Sequence, residues 1–263
     1  MTVEFAGIKA DVTALFPKTY EFLKDYEVEF TGFDRLPGQH VEIKIDREDI
    51  DFEREKSAAE DKAEGRQVRQ FSDAYLETLA VARKLAENAP FCRVFLFHGS
   101  AVAVDGQAYI FTAKSGTGKS THAALWRQLL GDRAVMINDD KPFIRIEYPE
   151  VPTADSPDPL VRPWPAARVF GSPWDGKHRI SSNISMPLKA ICIIERAEQN
   201  SISRISPRDA WPMLLQQTYR PIGPAAFKKT LELIDELARA AEFWLLKCNM
   251  DIEAAQIAYE AMK

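Results

Sequence analysis

The sequence predicts an α/β fold, preceded by a smaller N-terminal α/β segment. From residue 91 onward, apolar runs typical of strands alternate with stretches that have helical periodicity. Before that point, a highly charged stretch and a helical pattern ending near Pro90 follow a few short apolar runs. The 263 residues, 46% of them apolar, suffice for one large core or two modest ones. We therefore expect an accessory segment over 1–90 and a core over 91–263.

Charge and cysteine usage exclude several classes of partner and site. The net charge of -5 gives no general attraction to nucleic acid or to anionic lipid, so we expect neither as a partner. The three cysteines are odd in number, far apart and without C-x-x-C spacing, which argues against disulfides or zinc; we expect buried thiols at Cys92, Cys192 and Cys248. Acids near the N-terminus, and the lack of about 18 consecutive apolar residues, favour a cytoplasmic location.

The accessory segment contains one predicted strand and one predicted helix. VEIKID at 41–46 alternates as a strand does, after a turn at Pro37-Gly38. The charged residues 46–66 are compatible with a solvated linker or with an exposed helix. Apolar residues then recur at helical spacing at Phe71, Tyr75, Leu79, Ala82 and Leu85.

The core begins with strands that flank a glycine-rich loop. RVFLFHG, SAVAV and QAYIFTA indicate strands, with a turn at Asp105-Gly106. SGTGKSTHAALWRQLLG predicts a loop that continues into a helix ending at Gly131, and AVMIN at 134–138 predicts another strand. The order is therefore strand, loop, helix, strand.

The second half of the core combines a long loop with further regular elements. Residues 149–187 are rich in proline and contain Trp164 and Trp174, so we expect a functional lid there. LKAICIIER predicts a strand. Helices are predicted after Ser206-Pro207, over 227–241 and after a capping Asp251.

The loop AKSGTGKST has the composition of a phosphate-binding loop. Glycine lets main-chain N–H groups approach a phosphate closely, and a helix that begins directly afterwards adds its positive dipole end. The pattern G-x-x-x-x-G-K-[ST] is met except that Ala113 replaces its first glycine. Lys119 would reach the β- and γ-phosphates and Ser120 would bind Mg²⁺. The predicted nucleotide contacts are Ser115, Gly116, Thr117, Gly118, Lys119, Ser120 and Thr121.

Two adjacent acids follow the next predicted strand. Asp139 and Asp140 lie about twenty residues beyond the loop, where a parallel sheet would bring them beside the nucleotide. One carboxylate can hold Mg²⁺ while the other accepts the proton of an attacking hydroxyl, and spacing alone does not decide between them. We assign the metal to Asp139 and the base to Asp140, each of them remaining a candidate metal ligand.

Further cations and histidines are candidates for supporting roles. His98 ends a strand and either assists the base or is structural, whereas His122 in the loop's helix is expected to pack. Lys177, His178 and Arg179, in GSPWDGKHR, either neutralise charge on a transferred phosphoryl group or form a solvated basic turn.

Together these motifs resemble HPr kinase/phosphorylase, whose nucleotide-binding fold is shared with phosphoenolpyruvate carboxykinase. The similar features are His98-Gly99, the hairpin after it, SGTGKST at 115–121 and the strand that ends in Asp139-Asp140. The resemblance implies a P-loop core with a mixed, strongly twisted sheet. It also implies that Lys119 and Ser120 bind ATP and Mg²⁺, that His98 lies near the reaction, and that the acid pair supplies metal contact and general base.

The sequence thus predicts a bacterial kinase-like phosphotransferase that moves the γ-phosphoryl of ATP to a hydroxyl of a small molecule or a protein serine. A nucleotide-gated regulatory module and a carboxykinase-like lyase are the alternatives. The acceptor and the oligomeric state stay open, with a homo-oligomer among the options.

Overall fold

The computed structural model describes residues 1–29, 40–63, 65–148 and 164–263. The chain divides into two units, Met1–Cys92 and Arg93–Lys263. The predicted turn at Pro37-Gly38 and residues 149–163 of the predicted lid lie outside the described residues.

The first unit combines a three-stranded sheet with helices. Its strands are β1 (Thr2–Phe5), β2 (Ile8–Thr13) and β3 (His40–Lys44), and its helices are α1 (Pro17–Leu23), α2 (Arg47–Ala63) and α3 (Asp73–Asn88). β1 and β2 are antiparallel around a tight turn at Ala6-Gly7, where both residues have positive φ, and β3 is parallel to β2. Most of the charged stretch 46–66 forms the helix α2, and a helix was one of its two predicted structures. Arg83 of α3 donates to Asp49 and Glu53 of α2 at 2.7 and 2.6 Å.

The second unit is built on one mixed sheet. Its described strands are β4 (Val94–Leu96), β5 (Ser100–Val104), β6 (Gln107–Thr112), β7 (Ala134–Asn138), β8 (Phe143–Glu147), β9 (Ala166–Phe170), β10 (Ser185–Arg196), β11 (Ser201–Arg204) and β12 (Glu242–Cys248). The order is β4-β8-β9-β10-β6-β5-β7, with β12 pairing with β10, and β11 with β12. β6 and β12 are parallel to β10, whereas β5 is antiparallel to both β6 and β7.

Helices cover both faces of this sheet. They are α4 (Lys119–Leu130), α5 (Pro207–Gln217), α6 (Pro224–Ala240) and α7 (Ile252–Met262). Along β6, Ala108 and Ile110 belong to the apolar core shared with α5 and α6, whereas Tyr109 and Phe111 belong to the core shared with α4 and α7. Successive strand residues point to opposite faces, so β6 is apolar from Ala108 to Phe111 because both of its faces are covered there. The α/β class predicted from the sequence is confirmed.

Several sequence expectations need correction. β8, β9, β11 and β12 were not predicted, and the last of these pairs with β10 in the interior of the sheet. Cys192 and Cys248 are buried, but Cys92 is only half-buried because it ends a short turn at the surface. Asp251 precedes α7 without capping it through its side chain. In the described part of the chain, no helix is both long and apolar enough to cross a membrane.

Candidate functional site

The glycine-rich loop connects β6 to α4 and is tightly curled. Gly116 and Gly118 have φ angles of 74° and 125°, a region that residues with a Cβ rarely adopt. Thr117 N–H donates to the carbonyl of Lys114 at 3.3 Å, which closes a turn. The loop is therefore held in a tight curl, with α4 beginning directly behind it at Lys119.

The predicted nucleotide contacts differ in exposure. Ser115, Gly116 and Thr121 are exposed, Thr117, Gly118 and Ser120 are half-buried, and Lys119 is buried. The Lys119 ammonium donates to the carbonyl of Ala113 at 3.2 Å across the loop. Burial lowers the pKa of Lys119, and the carboxylates of Asp140 and Asp139 oppose that shift. Lys119 therefore lies within electrostatic range of the acid pair.

The sheet topology explains why the loop and the acid pair lie at the same edge. β5 runs antiparallel between β6 and β7, so β6 and β7 point the same way. The loop after β6, the acids after β7 and the residues that begin β5 consequently share one edge. The sequence prediction placed a parallel connection here; the structure instead inserts an antiparallel strand between the two elements.

Asp139 and Asp140 have different surroundings. Asp139 is 8% exposed and accepts a hydrogen bond from the Ser100 hydroxyl at 2.7 Å. Asp140 is more accessible, and its carboxylate lies 3.4 Å from His98 Nε2 and 3.7 Å from Lys141 Nζ. The pair is thus directed into the site, with one acid fixed in the interior and the other open to a reactant.

The surroundings of His98 disfavour the protonated form of its imidazole. Burial is the largest cause that lowers its pKa to about 4; the charges of Lys119 and Lys141 lower it further, while Asp140 opposes them. Its carbonyl oxygen accepts a hydrogen bond from Thr112, the last residue of β6, at 3.0 Å. The main chain of His98 is therefore tied to the end of β6, and its imidazole lies beside the Asp140 carboxylate.

A loop between β9 and β10 packs against the acid pair. Asn138 is fully buried and donates to the carbonyl and hydroxyl oxygens of Ser172 at 2.8 and 3.1 Å. Its side-chain oxygen accepts from the main-chain N–H groups of Asp140 and Lys141 at 2.8 and 2.6 Å. A Cβ on Gly176 would lie 3.1 Å from that of Asp140. The residues that follow Gly176 thus start next to the candidate base.

The predicted cations occupy the exposed part of this loop. Lys177, His178 and Arg179 are all exposed. The charge of Arg179 acts on Asp175, and no hydrogen bond or ion pair in the described chain joins Lys177 to the phosphate-binding loop. Trp174 is buried and packs edge-on against Phe143, so it anchors the loop. Gly176, which precedes these cations, packs against Asp140, so their main chain starts beside the acid pair.

Three residues of the site were not identified from the sequence. Asn138 organises the acid turn. Asp175 is 8% exposed and accepts from Ser181 at 3.0 Å; burial is the largest cause of its raised pKa, and Asp139 adds to the shift. Arg196 donates to carbonyl oxygens of the phosphate-binding loop. Asn138 reaches Asp140 and Lys141 two and three positions away but also Ser172, 34 positions away, and Arg196 lies 79 and 80 positions from its partners. Asp175 lies 6 positions from Ser181, next to a glycine in the basic loop, residues 171–179.

The donor atoms fit a magnesium ion bound together with a nucleotide. Ser120 and Asp139 supply the hydroxyl and carboxylate oxygens that this hard cation prefers. Within the described residues, no group of three His, Cys, Asp or Glu side chains is arranged to hold a metal.

Comparisons with known proteins found similarity among solved structures. No protein-family model and no curated protein matches the chain. Among solved structures, the Hpr(Ser) kinase/phosphatase from Coxiella burnetii is similar at 13% identity, over 52% of this chain and 86% of that chain, with a TM-score of 0.23. A likeness of this size assigns no activity, so the function proposed next depends on the site's geometry.

Proposed function

We propose that this protein is an ATP- and Mg²⁺-dependent kinase related to the HPr kinases, which transfers the γ-phosphoryl group to a hydroxyl. One observation carries the proposal: a curled glycine loop with Lys119 and an acid pair share one sheet edge, close enough for their charges to interact. Loops of this shape bind phosphates, and acids beside them bind magnesium or accept protons.

The phosphate-binding loop would hold the nucleotide. Main-chain N–H groups from Gly116 to Lys119, together with the first turn of α4, offer hydrogen bonds to the β- and γ-phosphates. Lys119 would exchange its bond to the Ala113 carbonyl for the more strongly charged phosphate oxygens. A bound Mg²⁺, held by Ser120 and Asp139, would neutralise charge on the β- and γ-oxygens.

Asp140 is the better candidate for the base. Asp139 is largely buried and engaged by the Ser100 hydroxyl, whereas Asp140 is more accessible to an acceptor. Asp140 would take the proton as the acceptor oxygen bonds to the γ-phosphorus, and the bond from phosphorus to the β,γ-bridging oxygen would break to release ADP. His98, being neutral, can orient the Asp140 carboxylate without adding a positive charge that would weaken it as a base.

The basic loop would complete the charge balance. Lys177 and Arg179 follow Gly176, which packs against Asp140. Cations at that position can offset the charge that develops on the transferred phosphoryl group. The acceptor is a hydroxyl compound or a protein serine, the partner class predicted from the sequence.

Isosteric variants of the acid pair test the proposal. With γ-labelled ATP and Mg²⁺, label should move to water slowly, and faster to a suitable hydroxyl in a panel of polyols and serine peptides. Asp140→Asn should lower both rates by about 100-fold or more while the Kd for ATP stays unchanged. Asp139→Asn should instead raise the Mg²⁺ concentration needed for half-maximal rate.

Asp132→Asn is the matched control. Asp132 is an exposed acid in the short turn that follows α4, at the opposite end of that helix from the glycine-rich loop. Slow hydrolysis with no acceptor stimulation would favour the nucleotide-gated module. Unchanged turnover in Asp140→Asn would overturn the assignment of the base.

A further inference from the structure

Arg196 lies at the end of the strand next to the phosphate-binding loop. β10 pairs in parallel with β6, and Ile193 lies opposite Thr112, the last residue of β6. Three residues further along, Arg196 is level with the start of the loop. The strand register, and not the local sequence, therefore brings this guanidinium to the loop.

The guanidinium binds two consecutive carbonyl groups of the loop. Arg196 Nε donates to the carbonyl oxygen of Thr117 at 3.1 Å, and Nη2 donates to that of Gly116. In a planar trans peptide the C=O and N–H groups point in opposite directions. Holding these two carbonyls toward Arg196 therefore turns the N–H groups of Thr117 and Gly118 away from it, and that of Thr117 donates to the Lys114 carbonyl until a ligand competes for it.

The loop needs such a restraint because of its glycines. Gly116 and Gly118 have positive φ and flank the two peptide units that Arg196 holds. Glycine reaches many backbone conformations, so these peptides can rotate and turn their N–H groups away from a ligand. A loop that is ordered before binding loses less conformational entropy when the ligand binds, so the ligand binds more tightly.

We infer that Arg196 is a positioning residue that keeps the main-chain N–H groups of the loop directed at a bound di- or triphosphate. The inference rests on the proposed function, since it concerns how the same loop holds a nucleotide. Arg196 acts through the backbone and does not touch the terminal phosphate. ADP and ATP should therefore depend on it equally.

Calorimetric titration of the full chain with Mg-ADP and Mg-ATP tests this role. Arg196→Ala should weaken both nucleotides by about tenfold, because two hydrogen bonds that order the loop are lost. Arg204→Ala is the matched control: it removes an exposed arginine from the same sheet, one that pairs with Glu242 at 3.6 Å. Arg196→Lys keeps the charge but not the planar fork, and should recover only part of the affinity.

Hydrogen exchange separates positioning from general stability. In the nucleotide-free protein, Arg196→Ala should speed exchange at Thr117 and Gly118, while the free energy of unfolding stays within the error of the wild type. Unchanged affinity in Arg196→Ala, or full recovery in Arg196→Lys, would overturn the inference and leave the kinase proposal intact. A loss confined to ATP would place Arg196 on the γ-phosphate and would also overturn it. If the wild type binds neither nucleotide, the proposed function and this inference both fail.

Discussion

Asn138 donates its side-chain amide to the carbonyl oxygen of Ser172 at 2.8 Å and thereby joins the acid turn to the basic loop. The same side chain accepts two main-chain hydrogen bonds from Asp140 and Lys141. This buried amide joins two segments that the proposed reaction needs together, alongside the bond from the Ser172 hydroxyl to the Lys141 carbonyl at 2.7 Å. The amide nitrogen of Asn138 therefore binds the basic loop, and its amide oxygen binds the acid turn.

Substitutions at Asn138 should separate the two segments. Asn138→Ala loses both sets of hydrogen bonds and should lower the free energy of unfolding by about 2–4 kcal/mol, with turnover largely lost. Asn138→Asp keeps the acceptor for the acid turn but cannot donate to Ser172 when ionised, so turnover should fall while Mg-ATP still binds.

Urea unfolding and steady-state rates measure these effects. Ser172→Ala measures the share of the hydroxyl, which also donates to the Lys141 carbonyl at 2.7 Å, and leaves the Ser172 carbonyl that accepts the shorter bond from Asn138. Equal turnover in Asn138→Asp and the wild type would contradict a role for the loop in the reaction.

Arg179 offers a test in which stability and activity should change in opposite directions. Its φ is 54°, a left-handed conformation that costs a residue with a Cβ about 1 kcal/mol or more. Arg179→Gly should therefore leave the free energy of unfolding equal or raise it by about 1 kcal/mol, while turnover falls about tenfold because a cation is lost.

Arg179→Lys keeps the cation and should retain more of the rate than Arg179→Gly does. Lys177→Ala should lower the rate in a similar way without a gain in stability. If Arg179→Gly were as active as the wild type, the result would favour the alternative in which these residues form a solvated basic turn with no role in the reaction.

His122 should make the fold sensitive to acid. It is 2% exposed, packs against the ring edge of Phe111, and neither ring nitrogen has a hydrogen-bond partner among the described residues. Burial lowers its pKa to about 4 from 6.5, so the unfolded chain binds more protons between those pH values. The free energy of unfolding is unaffected by this histidine above pH 6.5. It falls as the pH drops from 6.5 toward 4, by about 3 kcal/mol at most, because protonation of His122 favours the unfolded chain.

Unfolding free energies measured from pH 4 to 7 check this. His122→Leu should lose less stability than the wild type over that range. His98 acts in the same direction, because its pKa is also lowered, so some acid sensitivity should remain. His178→Gln changes an exposed histidine and should follow the wild type. Parallel curves for His122→Leu and the wild type would show that His122 does not contribute.

Local patterns predicted the elements with strong periodicity or distinct end signals. The helix after Ser206-Pro207 begins as expected, since the Ser206 hydroxyl accepts from Asp209 N–H at 3.2 Å. AVMIN at 134–138 is a strand with the predicted ends. β8 and β12 were missed because their alternation is interrupted by charged and half-buried positions, and because strand pairing across the chain stabilises them.

The residues of the candidate site also differ in whether the local sequence could identify them. Lys119, Asp139 and Asp140 could be proposed because their spacing along the chain reflects a recurring local arrangement. Arg196 could not, since its role depends on a loop 79 and 80 positions away, nor could the bond by which Asn138 reaches Ser172, 34 positions away. Such contacts exist only once the sheet order and register are fixed.

The most direct test of the account is the affinity for ATP with and without Mg²⁺, measured by calorimetry on the wild type, Lys119→Ala and Lys114→Ala. Lys114 is an exposed lysine of the same loop and controls for the loss of charge. We predict that the wild type binds Mg-ATP, that Lys119→Ala stays folded but binds about 100-fold more weakly, and that Lys114→Ala changes little. A wild type without measurable affinity, or equal affinities in the two variants, would contradict nucleotide binding by this loop.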